Sequence, residues 1–465
     1  MPQNFIGSPV DQSFLLPPDV RDWLAEGELA WFVRDVVESL DLRAFYNSYR
    51  SNGQGRAAFD PAMMLAVLIY AHAMGVRSSR EIERRCAHDV AFRVLTGNQQ
   101  PDHATVARFV TRHRGALDGL FEQALALCHE AGLVRLGEIA VDGTKIAANA
   151  SWSKNYTQAA LEHQVGEQEA LFAATARRLL DEQVATDAAE DALFETERGD
   201  ELPAPLRRQD GRRQRLKAAR DRLADKERDA AAAQAAKQAA WQARKDAGAK
   251  SPGRRPGDEP PTARSQRSGK APRANTTDPD SRAMRCKHTL VQGYNAQAAV
   301  TGTQVIVGAM LTQHPTDRLL LHDVLDTTRR QLAGAGITLP LSTVLADAGY
   351  VSEQAFIRAE ADGLHLLAPV VSDERKARGE DPAGGKDLAH RPATARGQDK
   401  LRTPQGQQHY AQRGRTVEPI FGQIKDRQRL RQFSRRGTEN VKAEWSFACT
   451  VHNLRKLHKH QLNRI

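Results

Sequence analysis

Apolar residues recur at helical spacing through residues 1–135, so this region is predicted to be all-helical. The segment Pro61–Met74 is apolar nearly all round, which is typical of a buried helix with proline in its first turn. Ser78–Glu81 has the Ser-x-x-Glu spacing of a capping box, which predicts that a second, charged helix begins there.

A third helix is predicted after Asp102, a residue type favoured as an N-cap. Val106 and Phe109 mark its apolar stripe, and Arg108 and Arg112 lie on the remaining surface. Short helices that end in a basic amphipathic helix are typical of a helix-turn-helix arrangement. We therefore expect Arg108 and Arg112 to contact DNA; a helical bundle with solvated arginines is the alternative.

The pattern changes at Leu136–Val141, which ends in the short apolar run IAV and predicts a buried strand with Asp142 at its end. Residues 156–245 are rich in Ala, Glu and Arg, which indicates two long helices broken near Pro203, in the simplest case an antiparallel hairpin. Residues 246–282 are rich in Pro, Gly, Ser and charge and are predicted to be flexible.

Strand and helix patterns alternate in the remainder of the chain. Strands are predicted at His288–Val300, Val305–Leu311, Ser342–Leu345 and Leu364–Val371, and helices at Asp317–Leu332, Ser352–Ala361, 406–431 and 440–460. The polar, Gly-rich stretch 372–405 is predicted to be a mobile loop. This order is that of a ribonuclease-H-like α/β core interrupted after its first strand.

The predicted fold class is therefore α/β, a ribonuclease-H-like mixed sheet with helices, plus an all-α N-terminal domain and a helical insertion. The predicted units are a helical DNA-binding domain at 1–135, the first part of the core at 136–155, an insertion at 156–284, the second part of the core at 285–371, a flexible loop at 372–405 and a C-terminal part of the core at 406–465.

The net charge of +10 is concentrated at the C-terminus. Residues 401–465 carry 14 Lys and Arg against 4 Asp and Glu, and the rest of the chain carries 53 of each kind. A local positive field suits a polyanion such as DNA, although a solvated basic tail would have the same composition. The four cysteines are widely spaced, which favours a reducing cytosol, and the absence of a signal-peptide pattern or a long apolar run predicts no membrane association.

Two aspartates follow predicted strands, Asp142 after the first and Asp347 after Ser342–Leu345. Strand ends that meet at one edge of a sheet bring such carboxylates together. Carboxylate oxygens are the ligands that Mg²⁺ prefers, and paired Mg²⁺ ions can promote phosphodiester cleavage. For either aspartate alone, a turn residue before glycine is the simpler explanation.

A third acid is expected from the helix at Arg415–Arg431, where an apolar stripe runs through Val417, Ile420, Phe421 and Ile424. Beside this stripe runs a row formed by Glu418, Gly422, Lys425 and Arg429. Such a row could present one metal ligand while its bases hold a phosphate backbone. Glu418 alone could also be a first-turn acid that stabilises the helix dipole.

With these residues the chain resembles insertion-sequence DDE transposases that have a helical N-terminal domain and an insertion in the catalytic core. The matching stretches are PDHATVARF (101–109), VDGTKIAANAS (141–151), GYNAQAAV (293–300), ADAGY (346–350), RGRTVEPIFGQIKDR (413–427) and EWSFACTVHNLRKL (444–457). The family signature Y-(2)-R-(3)-E-(6)-K is matched by Tyr410, Arg413, Glu418 and Lys425, except that four residues separate Arg413 from Glu418. Arg415 is therefore expected to share the role of Arg413.

The resemblance implies that Asp142, Asp347 and Glu418 bind two Mg²⁺ or Mn²⁺ ions and catalyse DNA cleavage and strand transfer. It implies that Tyr410, Arg413 and Lys425 hold the DNA end through its phosphates. Arg415 is expected to share the role of Arg413, and Arg429 is a further candidate because of its place in the row beside Glu418. Double-stranded DNA is then the partner, a homodimer joins two element ends, and the enzyme works on the bacterial nucleoid in the cytoplasm. A hydrolytic nuclease with the same acids and a cleavage-dead DNA-binding repressor are the alternatives.

Overall fold

A computed structural model describes residues 20–49, 57–190, 204–247, 255–257, 272–286, 289–370, 388 and 390–463. Among them, one continuous hydrophobic core runs from the N-terminal helices through the sheet to the last helix. A smaller apolar cluster lies in the insertion. The structure is thus organised around a single large core.

The N-terminal region is helical, as predicted. Its helices are α1 (Leu29–Ser39), α2 (Arg43–Tyr46), α3 (Pro61–Ala73), α4 (Ser79–His88), α5 (Val90–Thr96), α6 (His103–Arg112) and α7 (Arg114–Glu130). The Asp102 carboxylate caps α6 by accepting from the Thr105 N–H at 2.6 Å, as predicted. The capping box predicted at Ser78–Glu81 is wrong: Ser78 is the N-cap of α4, but its side chain makes no capping bond, and the Glu81 carboxylate pairs with Arg84 and Arg85.

The sheet contains strands of both directions. Its strands are β1 (Glu138–Ala147), β4 (Arg282–Cys286), β5 (Thr289–Thr301), β6 (Ile306–Thr312), β7 (Thr343–Ala346) and β8 (His365–Leu367). Across the sheet the order is β6, β5, β1, β7, β8, and β4 pairs with the first part of β5. β5 runs antiparallel to β1, whereas β7 runs parallel to β1 and β8 parallel to β7. This mixed sheet with its helices confirms the predicted fold class.

Strand β1 is longer than predicted, and this corrects the position of Asp142. The strand continues for five residues beyond Asp142, so that residue lies within the strand and not at its end. Pairing with β5 is unbroken from Ile139 opposite Thr301 to Ala147 opposite Gly293. The Asp-Gly dipeptide does not turn here because the neighbouring strand holds it in the extended ladder.

The insertion contains two long helices, α8 (Gln158–Glu190) and α9 (Ala204–Asp246). They pack antiparallel, with Glu169 paired to Lys217 and Phe172 under the Arg213 guanidinium, which confirms the predicted hairpin. A two-stranded ribbon, β2 (Asn155–Tyr156) with β3 (Ala274–Asn275), closes the base of the hairpin. The predicted break between the helices lies almost entirely outside the described residues, as does most of the flexible segment predicted at 246–282.

The remaining helices are α10 (Leu321–Gly334), α11 (Glu353–Ala361), α12 (Pro392–Arg402), α13 (Pro404–Asp426) and α14 (Thr438–Leu462). The presence of α12 corrects the loop predicted over 372–405, of which residues 372–387 and 389 lie outside the described residues. The Glu353 carboxylate accepts hydrogen bonds from the Ala393 and Thr394 backbone N–H groups at the start of α12. Because this cap comes from another helix, the local sequence does not reveal it.

Helix α13 ends at Asp426, earlier than the predicted 431. Arg429 follows it in a left-handed conformation with φ of 54°. Arg429 is therefore not in the helical row of Glu418 and Lys425, contrary to the prediction. The turn is held against the N-terminal region, where a Cβ on Gly75 would lie 2.6 Å from the Arg427 carbonyl oxygen.

Helix α14 packs along the sheet. The Asn453 side chain accepts from the Ile306 N–H at 2.9 Å and donates to its carbonyl oxygen at 2.8 Å. The Trp445 indole N–H donates to the Gln297 carbonyl oxygen at 3.2 Å. These bonds satisfy buried backbone groups of β5 and β6, and thereby fix α14 against the face of the sheet.

Candidate active site

Strands β1 and β7 bring two of the predicted acids together. They are parallel, and their last paired positions are Val141 and Ala346. Asp142 and Asp347 each follow directly, so the two carboxylates occupy equivalent positions on adjacent strands. The pKa of Asp142 is raised to about 6, mainly by burial, with a further contribution from the charge of Asp347. Burial raises the pKa of Asp347 as well.

Arg413 from α13 is the counter-charge of this pair. One terminal nitrogen donates to the Asp142 carboxylate at 2.8 Å, and only 11% of the arginine side chain is exposed. The guanidinium lowers the pKa of both aspartates and partly offsets the effect of burial. The other Asp142 oxygen accepts from the Gly143 N–H at 2.7 Å. Arg413 thus faces inwards, onto a carboxylate.

Glu418 lies near the same arginine, with its carboxylate 3.9 Å from the second terminal nitrogen of Arg413. Its side chain is 67% exposed. Residues five apart on a helix differ by about 140° in direction, so Arg413 can point into the core while Glu418 points to solvent. The Arg413 guanidinium therefore lies close to all three predicted acids, and Glu418 is the acid on its solvent-exposed side.

A fourth acid, Asp317, lies beside the pair. The helix predicted to begin at Asp317 begins instead at Leu321, with Leu320 as its N-cap, so Asp317 lies in the segment before the helix. Its carboxylate pairs with Lys145 at 3.0 Å and accepts from the Asn295 and Gln297 side-chain amides at 2.6 and 2.8 Å. Asp317 contributes to the raised pKa of Asp142 and Asp347.

The amides around Asp317 were not identified from the sequence. Asn295 and Gln297 are fully buried on β5, and the Tyr350 hydroxyl donates to the Gln297 side-chain oxygen. A Cβ on Gly143 would lie 2.1 Å from Gln297 Nε2, so glycine leaves room for this network. Asn295 and Gln297 at alternate positions of a mostly buried strand were the available signal, since buried polar side chains need partners.

The predicted DNA-contact residues of α13 lie in different environments. The Lys425 ammonium donates to the Thr144 hydroxyl, and Tyr410 packs against the core. Arg415 is exposed, and its carbonyl oxygen accepts from Gln304 at 3.0 Å. Lys425 lies seven residues after Glu418, so the two share a helix face. Arg415 lies two residues after Arg413, so its side chain leaves the helix in a direction that differs by about 160° from that of Arg413.

The predicted DNA-contact residues of the N-terminal region lie on α6. Arg108 and Arg112 are both exposed there. Arg108 donates to the Thr105 hydroxyl at 3.1 Å, and the Arg112 guanidinium lies 5.1 Å from the centre of the Tyr49 ring. Their DNA contacts stay a prediction.

The chemistry of the donors suits a hard divalent cation. The acids offer only oxygen ligands, and two of them are partly buried carboxylates whose pKa is raised mainly by burial. Within the described ranges, no group of three His, Cys, Asp or Glu side chains is close enough to hold a metal ion as it stands. Glu418 is separated from the aspartates by Arg413, which occupies an oxygen of Asp142.

None of the described helices is both long and apolar enough to cross a membrane.

A mixed sheet with strand order β6, β5, β1, β7, β8, flanked by helices, is consistent with a ribonuclease-H-like core. Residues 18–112 match the family model of a transposase domain (DUF772), and residues 386–458 match that of a transposase DDE domain. Together these matches support an insertion-sequence DDE transposase. No curated protein and no solved structure matches it. The second match includes Glu418 and Arg413, while Asp142 and Asp347 lie outside both.

Proposed function

We propose that this transposase binds the ends of its insertion sequence, hydrolyses a phosphodiester there and joins the freed 3′ end to target DNA. The observation that carries the proposal is the alignment of Asp142 and Asp347 on adjacent parallel strands, with Glu418 beside them across Arg413. The three carboxylates come from distant parts of the chain, and burial raises the pKa of two of them, which means that it disfavours their ionised form. Such an arrangement does not stabilise the fold and is therefore better explained by a function.

The two steps are both phosphoryl transfers. In the first, a water oxygen attacks phosphorus, the bond from phosphorus to the 3′ oxygen breaks, and that oxygen takes a proton to leave a 3′-hydroxyl opposite a 5′-phosphate. In the second, this hydroxyl loses its proton and attacks a target phosphorus, forming a new diester and releasing the target's 3′-hydroxyl. Two bound Mg²⁺ or Mn²⁺ ions would polarise the reacting oxygens.

The chain's own groups would prepare this chemistry. Asp142, Asp347 and Glu418 would hold the cations, and Arg413 would move from the Asp142 carboxylate towards a DNA phosphate as the positive charge arrives. Lys425 and Tyr410 would bind the phosphates of the element end, with Arg415 and Arg429 as further contacts. Arg108 and Arg112 on α6 would contact the duplex at a second place.

The protein partner would be a second copy of the chain, since joining two element ends in one synaptic complex requires two sites. The reaction would take place on the nucleoid in the bacterial cytoplasm.

The test uses a labelled duplex that carries the element's own ends and flanks, incubated with Mg²⁺ or with EDTA. Wild-type protein is expected to cut and join in Mg²⁺ only, and Glu418→Gln to do neither. Because Glu418 is 67% exposed, the variant should fold normally. Glu439→Gln, an exposed glutamate in the first turn of α14, is the matched control and should retain activity.

Three other results would each change the conclusion. Cutting without joining would indicate the hydrolytic nuclease. End-specific binding without cutting in any protein would indicate the repressor. Cutting that survives Glu418→Gln would show that the third acid is misassigned.

A further inference from the structure

A second polar site lies where the N-terminal helices meet α14. It is a cavity of about 790 Å³, well within the range that holds a nucleotide. Its walls come from the start of α4, from α6 and α7, and from the segment that leads into α14. None of Asp142, Asp347 and Glu418 lines it.

The cavity is strongly positive. Arg77, Arg80, Arg114 and Arg435 line it, against the single carboxylate of Glu444. Burial and nearby arginines lower the pKa of His72, also in the lining, to about 3, so this side chain is neutral. The cavity therefore has a net charge of about three positive units at neutral pH.

Glu444 is already fully engaged. Its carboxylate accepts from Arg77, from the Ser434 N–H at 2.9 Å and from the Arg435 N–H at 3.1 Å. These bonds fix the segment that enters α14. Among the described residues, the Arg114 and Arg435 guanidinium groups donate to the neutral Asn440 and Thr111 side chains, and neither of them nor Arg80 forms an ion pair with a carboxylate, although the charge of Glu444 raises the pKa of Arg435.

Arg77 provides the clearest sign of a missing partner. Its side chain is only 10% exposed, and burial lowers its pKa. One terminal nitrogen donates to Glu444, while the other has no hydrogen-bond partner among the described residues. A buried guanidinium with an unsatisfied nitrogen is costly, and an anion in the cavity would relieve that cost.

The N-terminus of α4 adds donors to the same wall. Ser78 and Ser79 line the cavity, and the Ser78 side chain makes no capping bond. Free N–H groups and hydroxyls at a ten-residue helix are suited to bind an anion. This observation is independent of the unsatisfied nitrogen of Arg77.

We propose that this cavity binds one phosphodiester of the element-end DNA, at a position distinct from the cleaved bond. The proposal rests on the proposed function for its ligand. Asn149 lines the cavity only two residues after β1, the strand that carries Asp142. Seven extended residues span at most about 25 Å, so the two sites are up to about seven nucleotides apart along a duplex strand.

The chemistry of the lining favours a phosphate over a base. Arginines and helix-terminal donors recognise phosphate oxygens, as in positioning contacts that carry no sequence information. A free nucleotide or inorganic phosphate offers the same group, and the test separates these sources from DNA. The cavity would anchor the duplex while the acids act further along it.

The experiment measures binding of a fluorescein-labelled duplex carrying the element end, by anisotropy, across a salt series in EDTA. The variant is Arg80→Gln combined with Arg435→Gln, which leaves Arg77 and Glu444 in place. Loss of one phosphate contact lowers the slope of log K against log[salt] by about 0.9, which is about a 3.5-fold difference between 50 and 200 mM salt. Arg330→Gln, an exposed arginine on α10, is the matched control and should keep the wild-type slope.

The position of the phosphate is found by replacing single phosphates with neutral methylphosphonates. At one position, within about seven nucleotides of the cleaved bond, the replacement should weaken the wild type but not the double variant. A third arm compares the thermal midpoints of both proteins in inorganic phosphate and in chloride. The wild type should be stabilised by phosphate and the double variant should not.

Each outcome decides the proposal. Wild-type DNA binding with an unchanged slope in the double variant would overturn it and leave the proposed function intact. Absence of DNA binding by the wild type would overturn both, and stabilisation by phosphate would then show a small-anion site only. If the double variant is unfolded by circular dichroism, Arg80→Gln alone is used, because this arginine is exposed; an unchanged methylphosphonate profile in it would equally overturn the proposal.

Discussion

Replacement of Asp142 by asparagine is expected to abolish DNA cleavage and, at the same time, to stabilise the metal-free protein. In the native structure the pKa of Asp142 is raised from 3.8 to about 6, chiefly by burial. A shift of about two units corresponds to about 3 kcal/mol of unfavourable free energy for the ionised form. Asparagine has the same shape without the charge, so about 3 kcal/mol is the upper limit of the gain.

The sign of the pH dependence follows from this shift. An aspartate whose pKa is higher in the folded than in the unfolded protein contributes stability that is complete below the unfolded pKa, near 4, and is lost as the pH rises through about 6. Asparagine does not titrate. The variant should therefore be more stable than the wild type at about pH 8, and this advantage should vanish near about pH 4.

The assay is thermal unfolding in EDTA at both pH values, with cleavage measured on the same preparations. For a cooperative unit of 150–250 residues, about 3 kcal/mol corresponds to a rise of roughly 6–12 °C in the midpoint. Asp399→Asn, at an aspartate whose side chain is 73% exposed, is the control and should leave the midpoint unchanged. A midpoint for Asp142→Asn at or below that of the wild type at the higher pH, or a gain that persists at the lower pH, would refute the reasoning.

Three further changes test other parts of the structure. Arg413→Gln should move the pH of half-maximal cleavage upwards, because the guanidinium lowers the pKa of Asp142; a pH profile identical to that of the wild type would count against this role. Gly293→Ala should lower the midpoint of urea unfolding strongly, because its Cβ would lie 2.2 Å from a carbonyl oxygen of β1. The control is Gly302→Ala, where the added Cβ would point into open space and should change the free energy of unfolding by less than about 0.5 kcal/mol. Equal effects of the two substitutions would contradict the close packing at Gly293. Asn453→Ala should cost roughly 1–3 kcal/mol for each of the two backbone groups of β6 that it leaves unpaired, and an unchanged unfolding midpoint would show that α14 is not fixed through this residue.

Hydrophobic periodicity was sufficient to predict most elements of this fold. The buried helix at Pro61–Ala73, the hairpin of β5 and β6, and the helix that carries Glu418 all have local patterns that report their own burial. The order of these elements predicted the mixed sheet, and the aspartates that follow two predicted strands were proposed as metal ligands. Such features depend on residues close together in the chain.

What the sequence could not show depends on partners far away in the chain. Asp142 lies within a strand because β5 pairs along it, and Pro392–Arg402 is helical because Glu353, about forty residues earlier, caps it. Asp317 joins the acidic site because lysine and amide side chains from two strands surround it.

Amino-acid sequence by itself thus determined the elements, their order and the chemical class of the site. Tertiary structure alone decided which charges meet: Arg413 on Asp142, and Arg77 on Glu444 with one nitrogen left unpaired. The physical reason is that periodicity encodes the burial of each segment, whereas the pairing of buried charges is set by packing between segments hundreds of residues apart.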